Sequence, residues 1–203
     1  MLQQANPKLI LASASASRRA LLSAAGLAFE VRPASVDEAE VKLSARADGA
    51  SAADAALLLA ELKAGRIALR EPDALVIGAD QILVCEGTWF DKPISAAAAR
   101  EQLCTLRGRP HVLVTAAVCQ RGEQRVWHHL AHPRLHMRAF SDAFLDTYLQ
   151  VEGQEVISTV GAYRLEGLGV HLFDRIEGEH AAILGLPLLA LLGFLRQHGV
   201  VTE

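Results

Sequence analysis

The segment Ser13-Ala14-Ser15-Ala16-Ser17-Arg18-Arg19 gathers three hydroxyls and two guanidiniums between an apolar run and a helical pattern. Free backbone N–H groups at a helix start attract anions, hydroxyls add donors, and arginine adds a forked cation. Those are the parts of a phosphate site. They are also the parts of an ordinary capped helix with two solvated arginines. No Gly-Lys-Ser/Thr occurs anywhere, so the loop is not a Walker A loop.

Five further stretches carry chemistry-bearing side chains. Gly78-Ala79-Asp80-Gln81 interrupts an apolar run with a carboxylate. Such a group is paired, hydrogen-bonded or metal-bound if buried, because an isolated buried carboxylate is expensive; at a strand end it would face solvent instead. Downstream, Asp91-Lys92-Pro93 places a cation after a hairpin turn. The acidic stretch Asp37-Glu38-Ala39-Glu40 offers oxygen ligands for Mg²⁺ or Mn²⁺, and equally reads as a charged surface loop. Gly161-Ala162-Tyr163-Arg164-Leu165-Glu166-Gly167-Leu168-Gly169 allows close backbone approach beside an aromatic face, which suits a base pocket or a Gly-rich turn. His128, His129, His132 and His136 have a spacing that suggests zinc, but no Cys or carboxylate completes a ligand pattern.

The elements that must position these groups alternate. Lys8 to Ser13 reads as a short buried strand, followed by a helix from about Ser17 to Ala25 that Gly26 stops. Phe29 to Val31 alternates as a second strand. Ser51 and Asp54 form a capping box that opens a helix to about Leu69. Ala74 to Val84 is a buried strand ending in a turn at Glu86-Gly87. Ser95 caps a helix that Gly108 ends. His111 to Cys119 and Arg125 to Met137 are expected as two strands joined at Arg121-Gly122. Ser141 caps the next helix, and Gly161 to Ile176 is expected as a strand region. The apolar run from Ala181 to Leu195, with Pro187 near a helix start and Gly199 at its end, is expected to be a buried helix. Interleaved strands and helices with a hairpin between them predict an α/β fold with a mixed sheet.

Composition narrows the function. The chain has 203 residues and 51% hydrophobic residues, enough to bury a core. Its net charge of −3 argues against long nucleic acid as a partner. Three scattered cysteines without a CxxC pair suit reduced thiols in the cytoplasm. Leu9 to Ala12 is too short for a signal-peptide core, and the broken run from Ala181 to Leu195 falls short of the ~20 residues of a membrane span. No internal repeat or separable linker is visible, so residues 1–203 are expected to form a single domain.

The order of the motifs is more specific than any one of them. Leu11-Ala12-Ser13-Ala14-Ser15-Ala16-Ser17-Arg18 resembles the opening Leu-Ala-Ser-x-Ser-Pro-Arg-Arg motif of the Maf family. Lys63 stands where that family has a lysine, ahead of a Gly-Ala-Asp strand. Gly78-Ala79-Asp80 resembles its Gly-Ala-Asp-Thr motif, and Asp91-Lys92-Pro93 its Lys-Pro. Gly161-Ala162-Tyr163 with Gly167 resembles Gly-Ala-Tyr-Gly-Ile-Gln-Gly. Ile176-Glu177-Gly178 and Gly185-Leu186-Pro187-Leu188 are similar to the C-terminal pattern. The resemblance runs over nearly the whole chain.

Several expectations follow from it. Maf-like proteins are cytoplasmic nucleotide pyrophosphatases linked to septum formation and to clearing modified nucleotides. The resemblance implies hydrolysis of nucleoside triphosphates to the monophosphate and pyrophosphate. It also implies a two-lobed mixed twisted sheet around a cleft, like the inosine-triphosphate pyrophosphatases, together with a divalent cation and a homodimer. Asp80 would be the proton acceptor and a metal ligand, with Glu38 as second ligand. Ser13, Ser15, Arg18, Lys63 and Lys92 would hold phosphate oxygens, while Gln81, Tyr163 and Glu166 would meet the rest of the substrate. The chain departs from the family pattern at Ala16, Ser17 and Gln81, at Ser158-Thr159 in place of Asp-Lys, and at Arg164 and Glu166, which bears on base preference. The alternative is a nucleotide-binding regulatory protein of cell division with little turnover.

Overall fold

A computed structural model describes residues 3–202. The chain order is β1 (Leu9–Leu11), α1 (Ala16–Ala24), β2 (Glu30–Val31), α2 (Glu38–Ala47), α3 (Ala52–Ala68), β3 (Leu75–Cys85), β4 (Thr88–Phe90), α4 (Ala96–Leu106), β5 (Pro110–Arg121), β6 (Gln124–Ala131), β7 (Arg134–Met137), α5 (Asp142–Glu152), β8 (Phe173–Glu177), α6 (His180–Ile183) and α7 (Leu188–Gln197). The strands hydrogen-bond in the order β2-β1-β3-β5-β7-β8, with β4 on β3 and β6 on β5. β1 is parallel to both β2 and β3, while β4, β6, β7 and β8 pair antiparallel with their neighbours, so the sheet is mixed. Among the described residues no helix is long and apolar enough to cross a membrane.

Two compact units divide the chain. The first holds residues 3–81, 115–131 and 179–202; the second holds 82–114 and 132–178. In the first unit, β3 separates two environments by its period of two. Leu75, Ile77 and Ala79 join Leu22 of α1 and Leu191, Phe194 and Leu195 of α7 in one apolar cluster. Gly78, on the opposite face, meets α3. A Cβ at Gly78 would lie 2.1 Å from the Ala60 carbonyl oxygen and 2.9 Å from the Ala64 Cβ. Asp80 shares that face of the strand, and Lys63 shares the α3 face of Ala60 and Ala64 by helical spacing. Glycine therefore brings the lysine-bearing helix down to the aspartate-bearing strand. Gly78→Ala is expected to cost at least about 2 kcal/mol through overpacking against rigid backbone. The urea midpoint should fall with an unchanged m value; a midpoint within error of wild type would show that α3 can move away freely.

The caps expected at Ser51, Ser95 and Ser141 set their helix starts: Ser51 and Asp54 make the full capping box of α3, and Ser95 and Ser141 each accept a bond from the third residue beyond. Ser15 caps α1 in the same way, one residue before a helix that starts slightly earlier than the expected Ser17. Four expectations differ in outcome. The acidic stretch is not a loop: Asp37 accepts from the Glu40 N–H and opens α2, whose Ala, Glu, Lys, Leu and Arg residues are good helix formers. The strand expected over Arg125–Met137 is two strands, β6 and β7, divided at His132-Pro133 because proline has no N–H for the ladder. The strand expected over Gly161–Ile176 is two 3₁₀ turns with a loop between them, and only its end lies in β8. Gly161 and Ala162 both adopt positive φ there (80° and 60°), which no strand accommodates. Finally, the apolar run from Ala181 to Leu195 breaks between α6 and α7, where Gly185 has φ 99° and Pro187 precedes the last helix.

Candidate active site

The N-terminus of α1 is organised around Arg18. Ser15 caps the helix by accepting the Arg18 N–H, and the Ser13 hydroxyl accepts the Ser15 N–H at 3.2 Å. The Arg18 guanidinium donates from Nη1 to the Ser13 Oγ at 3.1 Å and from Nε to the Gly185 carbonyl at 2.8 Å. A Cβ at Gly185 would stand 3.2 Å from Arg18 Nε, so glycine makes room for this contact as well as for the positive φ. Arg18 is only 9% exposed. Burial pulls its pKa below the ordinary arginine value against the opposing charges of Asp80 and Glu38, but a guanidinium stays charged in a protein. Arg19, its neighbour, is exposed.

Lys63 joins the two carboxylates. Its Nζ lies 2.6 Å from Asp80 Oδ1 and 2.7 Å from Glu38 Oε1. Lys63 and Asp80 are buried, whereas the Glu38 side chain is 47% exposed. The other Asp80 oxygen, Oδ2, is buried without a hydrogen-bond partner. A native protein leaves few such oxygens orphaned, and an orphan calls for an explanation. Burial pushes the Glu38 carboxyl up. Lys63, by charge and hydrogen bond, and then Lys42 and Arg18 outweigh that and hold it below the usual carboxylate range. Ser13, Ser15, Arg18, Glu38, Lys63 and Asp80 thus all lie in the first unit, and the last four are electrostatically coupled. Lys42 was not singled out from the sequence. Its signal was its i, i+4 spacing from Glu38, which means something only once α2 is known to be a helix.

Gln81 adjoins Asp80 but turns into the protein. Its Nε2 lies 2.8 Å from Thr115 Oγ1 and 3.0 and 3.1 Å from the Ala182 and Ile183 carbonyls. Thr115 in turn donates to the Ala182 carbonyl at 2.9 Å. The Gln81 amide nitrogen thereby ties β3 and β5 to α6, just ahead of the Gly185 carbonyl that holds Arg18.

The remaining expected residues lie in the second unit. Lys92 is exposed, after β4. Tyr163 is 5% exposed, and its hydroxyl shares a 2.8 Å hydrogen bond with His111 Nε2, while its ring packs edge-on against Phe173. Burial holds the His111 pKa down at about 4 and pushes the Tyr163 hydroxyl up, so both are neutral near pH 7. The tyrosine ring is therefore a core group of this unit and not an open aromatic face. Glu166 is exposed and acts electrostatically on Arg164, whose guanidinium is bonded to the buried carboxylate of Glu152 at 3.1 Å. Among the described residues no group of three or more His, Cys, Asp or Glu side chains is placed to hold a metal.

A buried arginine at a helix start beside a lysine–carboxylate cluster offers the kind of donors and charges with which proteins bind phosphorylated ligands. The chain belongs to the Maf-like protein family, whose profile matches residues 8–198. It is 58% identical to a nucleoside triphosphate pyrophosphatase of Granulibacter bethesdensis over 96% of this chain and 99% of that protein. It is 54% identical to a protein of the same name from Rhodospirillum rubrum, over 96% of each chain. It is 48% identical to a 7-methyl-GTP pyrophosphatase of Rhizobium meliloti over 96% of this chain and 98% of that protein.

Proposed function

We propose that the chain hydrolyses nucleoside triphosphates, modified ones included, to the nucleoside monophosphate and pyrophosphate. The observation that carries this reading is Asp80: a buried carboxylate with one oxygen on Lys63 and the other unpartnered. The relatives named as pyrophosphatases support it. Hydrolysis of a phosphoanhydride depends mainly on positioning and charge neutralisation. Lys63 keeps Asp80 Oδ1 occupied and orients the carboxylate, so Oδ2 is the atom that takes the proton from the attacking water. Arg18, with Ser13 and Ser15 at the start of α1, holds phosphate oxygens.

The donor set suits a hard divalent cation. Asp80 Oδ2 lacks a partner, Glu38 is held ionised, and Mg²⁺ is ordinarily bound by one or two carboxylates together with substrate phosphates. Asp80 and Glu38 would hold Mg²⁺ or Mn²⁺, which would supply charge neutralisation and a more acidic water. The three free cysteines support a reducing compartment, the cytoplasm. The test is pyrophosphate release from a panel of common and modified triphosphates with Mg²⁺ or Mn²⁺. Binding of triphosphates without pyrophosphate release would support the regulatory alternative.

Base choice falls to Glu166 in this reading. An ionised glutamate only accepts hydrogen bonds, so it rewards a base edge rich in donors or a cationic methylated purine. Its exposure supports this role, whereas the buried Tyr163 does not offer its ring. Glu166→Gln is expected to lower kcat/KM for such bases relative to the others by about tenfold, the scale of one charge-assisted hydrogen bond. An unchanged ranking across the panel would remove Glu166 from base recognition.

A further inference from the structure

A helix of one turn has little stability of its own, since nucleation fixes several dihedral angles for one hydrogen bond. α6 is such a helix, with four residues. Its buried residues Ala182 and Ile183 are tied to the sheet by polar side chains. Thr115 on β5 is fully buried, and its hydroxyl donates to the Ala182 carbonyl at 2.9 Å. The same hydroxyl oxygen accepts one hydrogen of Gln81 Nε2 at 2.8 Å. The second hydrogen of Nε2 is left for the Ala182 and Ile183 carbonyls, at 3.0 and 3.1 Å. Carbonyls only accept, so a side chain in this place must present an N–H₂ group. The tie then runs on to the arginine. The Gly185 N–H donates to that same Ala182 carbonyl at 3.1 Å, and the Gly185 carbonyl accepts from Arg18 Nε at 2.8 Å. Glycine has the widest backbone freedom of any residue, so the direction of this carbonyl is set by what the turn is tied to. All of these residues lie in the first unit.

We propose that Gln81, together with Thr115, is a positioning residue of the phosphate site: it fixes α6 and the Gly185 carbonyl, and that carbonyl holds the Arg18 guanidinium ready for the triphosphate. This rests on the hydrolytic reading for the identity of the ligand. The Gln81 amide nitrogen is engaged within the protein, so its effect on the ligand passes through Arg18.

The test is a double-mutant cycle on calorimetric binding of guanosine 5′-(α,β-methylene)triphosphate, which needs no turnover, with guanosine as the phosphate-free control. Gln81→Met keeps the length of the side chain and removes its N–H donors without adding a charge. It is expected to weaken the analogue by about 3- to 30-fold, the range of coupling within one hydrogen-bond network, and to leave guanosine unchanged. In an Arg18→Ala background the same substitution should change Kd by less than about twofold, because no guanidinium remains to be positioned. Thr115→Val, close in shape to threonine, is expected to show the same pattern with a smaller loss, which keeps the test open if Gln81→Met does not fold. Without any ligand, the Arg18 Nε–H resonance should exchange faster with water in either variant than in the wild type. An unchanged Kd in Gln81→Met, equal losses with and without Arg18, an equal loss for guanosine, or an unaltered Nε–H exchange would each overturn the assignment. Coupling of Gln81 to Arg18 in a protein that releases no pyrophosphate from any triphosphate would sink the hydrolytic reading and leave this one standing.

Discussion

Asp80→Asn is expected to lower kcat by about 10²–10⁴-fold while the triphosphate still binds. The variant keeps the shape of the side chain and an acceptor for Lys63 Nζ, which now lies 2.6 Å from Oδ1. It removes the basic oxygen Oδ2, the only buried carboxylate oxygen of the first unit without a partner among the described residues. Because a negative charge leaves an anion site, the affinity for triphosphate should hold or rise. The split between kcat and affinity is the informative part. A merely structural role would lower both together, with a lower melting temperature. Pyrophosphate release gives kcat, and calorimetry with guanosine 5′-(α,β-methylene)triphosphate, which cannot be cleaved between the α and β phosphorus atoms, gives Kd. A variant with near-normal kcat would show that Asp80 does not take the proton.

Arg18→Ala should weaken triphosphate binding by about 10²–10³-fold and nucleoside binding little, since a buried, fixed guanidinium loses more than one charge-assisted contact when truncated. Its geometry is the reason for a large effect. Nε is anchored on the Gly185 carbonyl and Nη1 on Ser13, so the fork is held in place before any ligand arrives. Arg18→Lys should recover only part of the loss, because an ammonium lacks the planar fork. Arg19→Ala serves as the control, with an expected change under about threefold, as for most exposed charges. Equal losses for nucleoside and triphosphate would count against a phosphate role for Arg18. A larger effect at Arg19 would mean the functional arginine is the second of the pair.

The two arginines show how far sequence reading reaches. The motif singled out Arg18, but nothing in the sequence shows that one side chain is buried and the other exposed. That follows from the phase of α1 on the sheet. Gln81 is a sharper case. Beside Asp80 in a strand, it reads as a substrate contact, yet the structure spends its amide nitrogen on Thr115 and α6. Tyr163 likewise reads as an open aromatic face and is closed off by His111 and Phe173. In each case the side chain's direction depends on which neighbours pack around it, and these neighbours are tens of residues away in the chain.

What the sequence determined by itself was local or ordered along the chain. Caps at Ser51, Ser95 and Ser141 are bonds across three residues, and the turn at Glu86-Gly87 needs only its own positive φ angles. Apolar runs and alternation marked β1, β3 and β5, and the order of motifs identified the family. The break at His132-Pro133 was also in the sequence, as a proline without an N–H, but its weight against a long alternating run was not. Only the tertiary structure decided that Lys63 bridges Asp80 and Glu38, that Asp80 Oδ2 is left unpartnered, and that Lys42 is buried behind Glu38. The reason is geometric. Those facts depend on how closely α3 lies on β3, which Gly78 permits, and on the rotation of α2 about its axis, which no local interaction specifies.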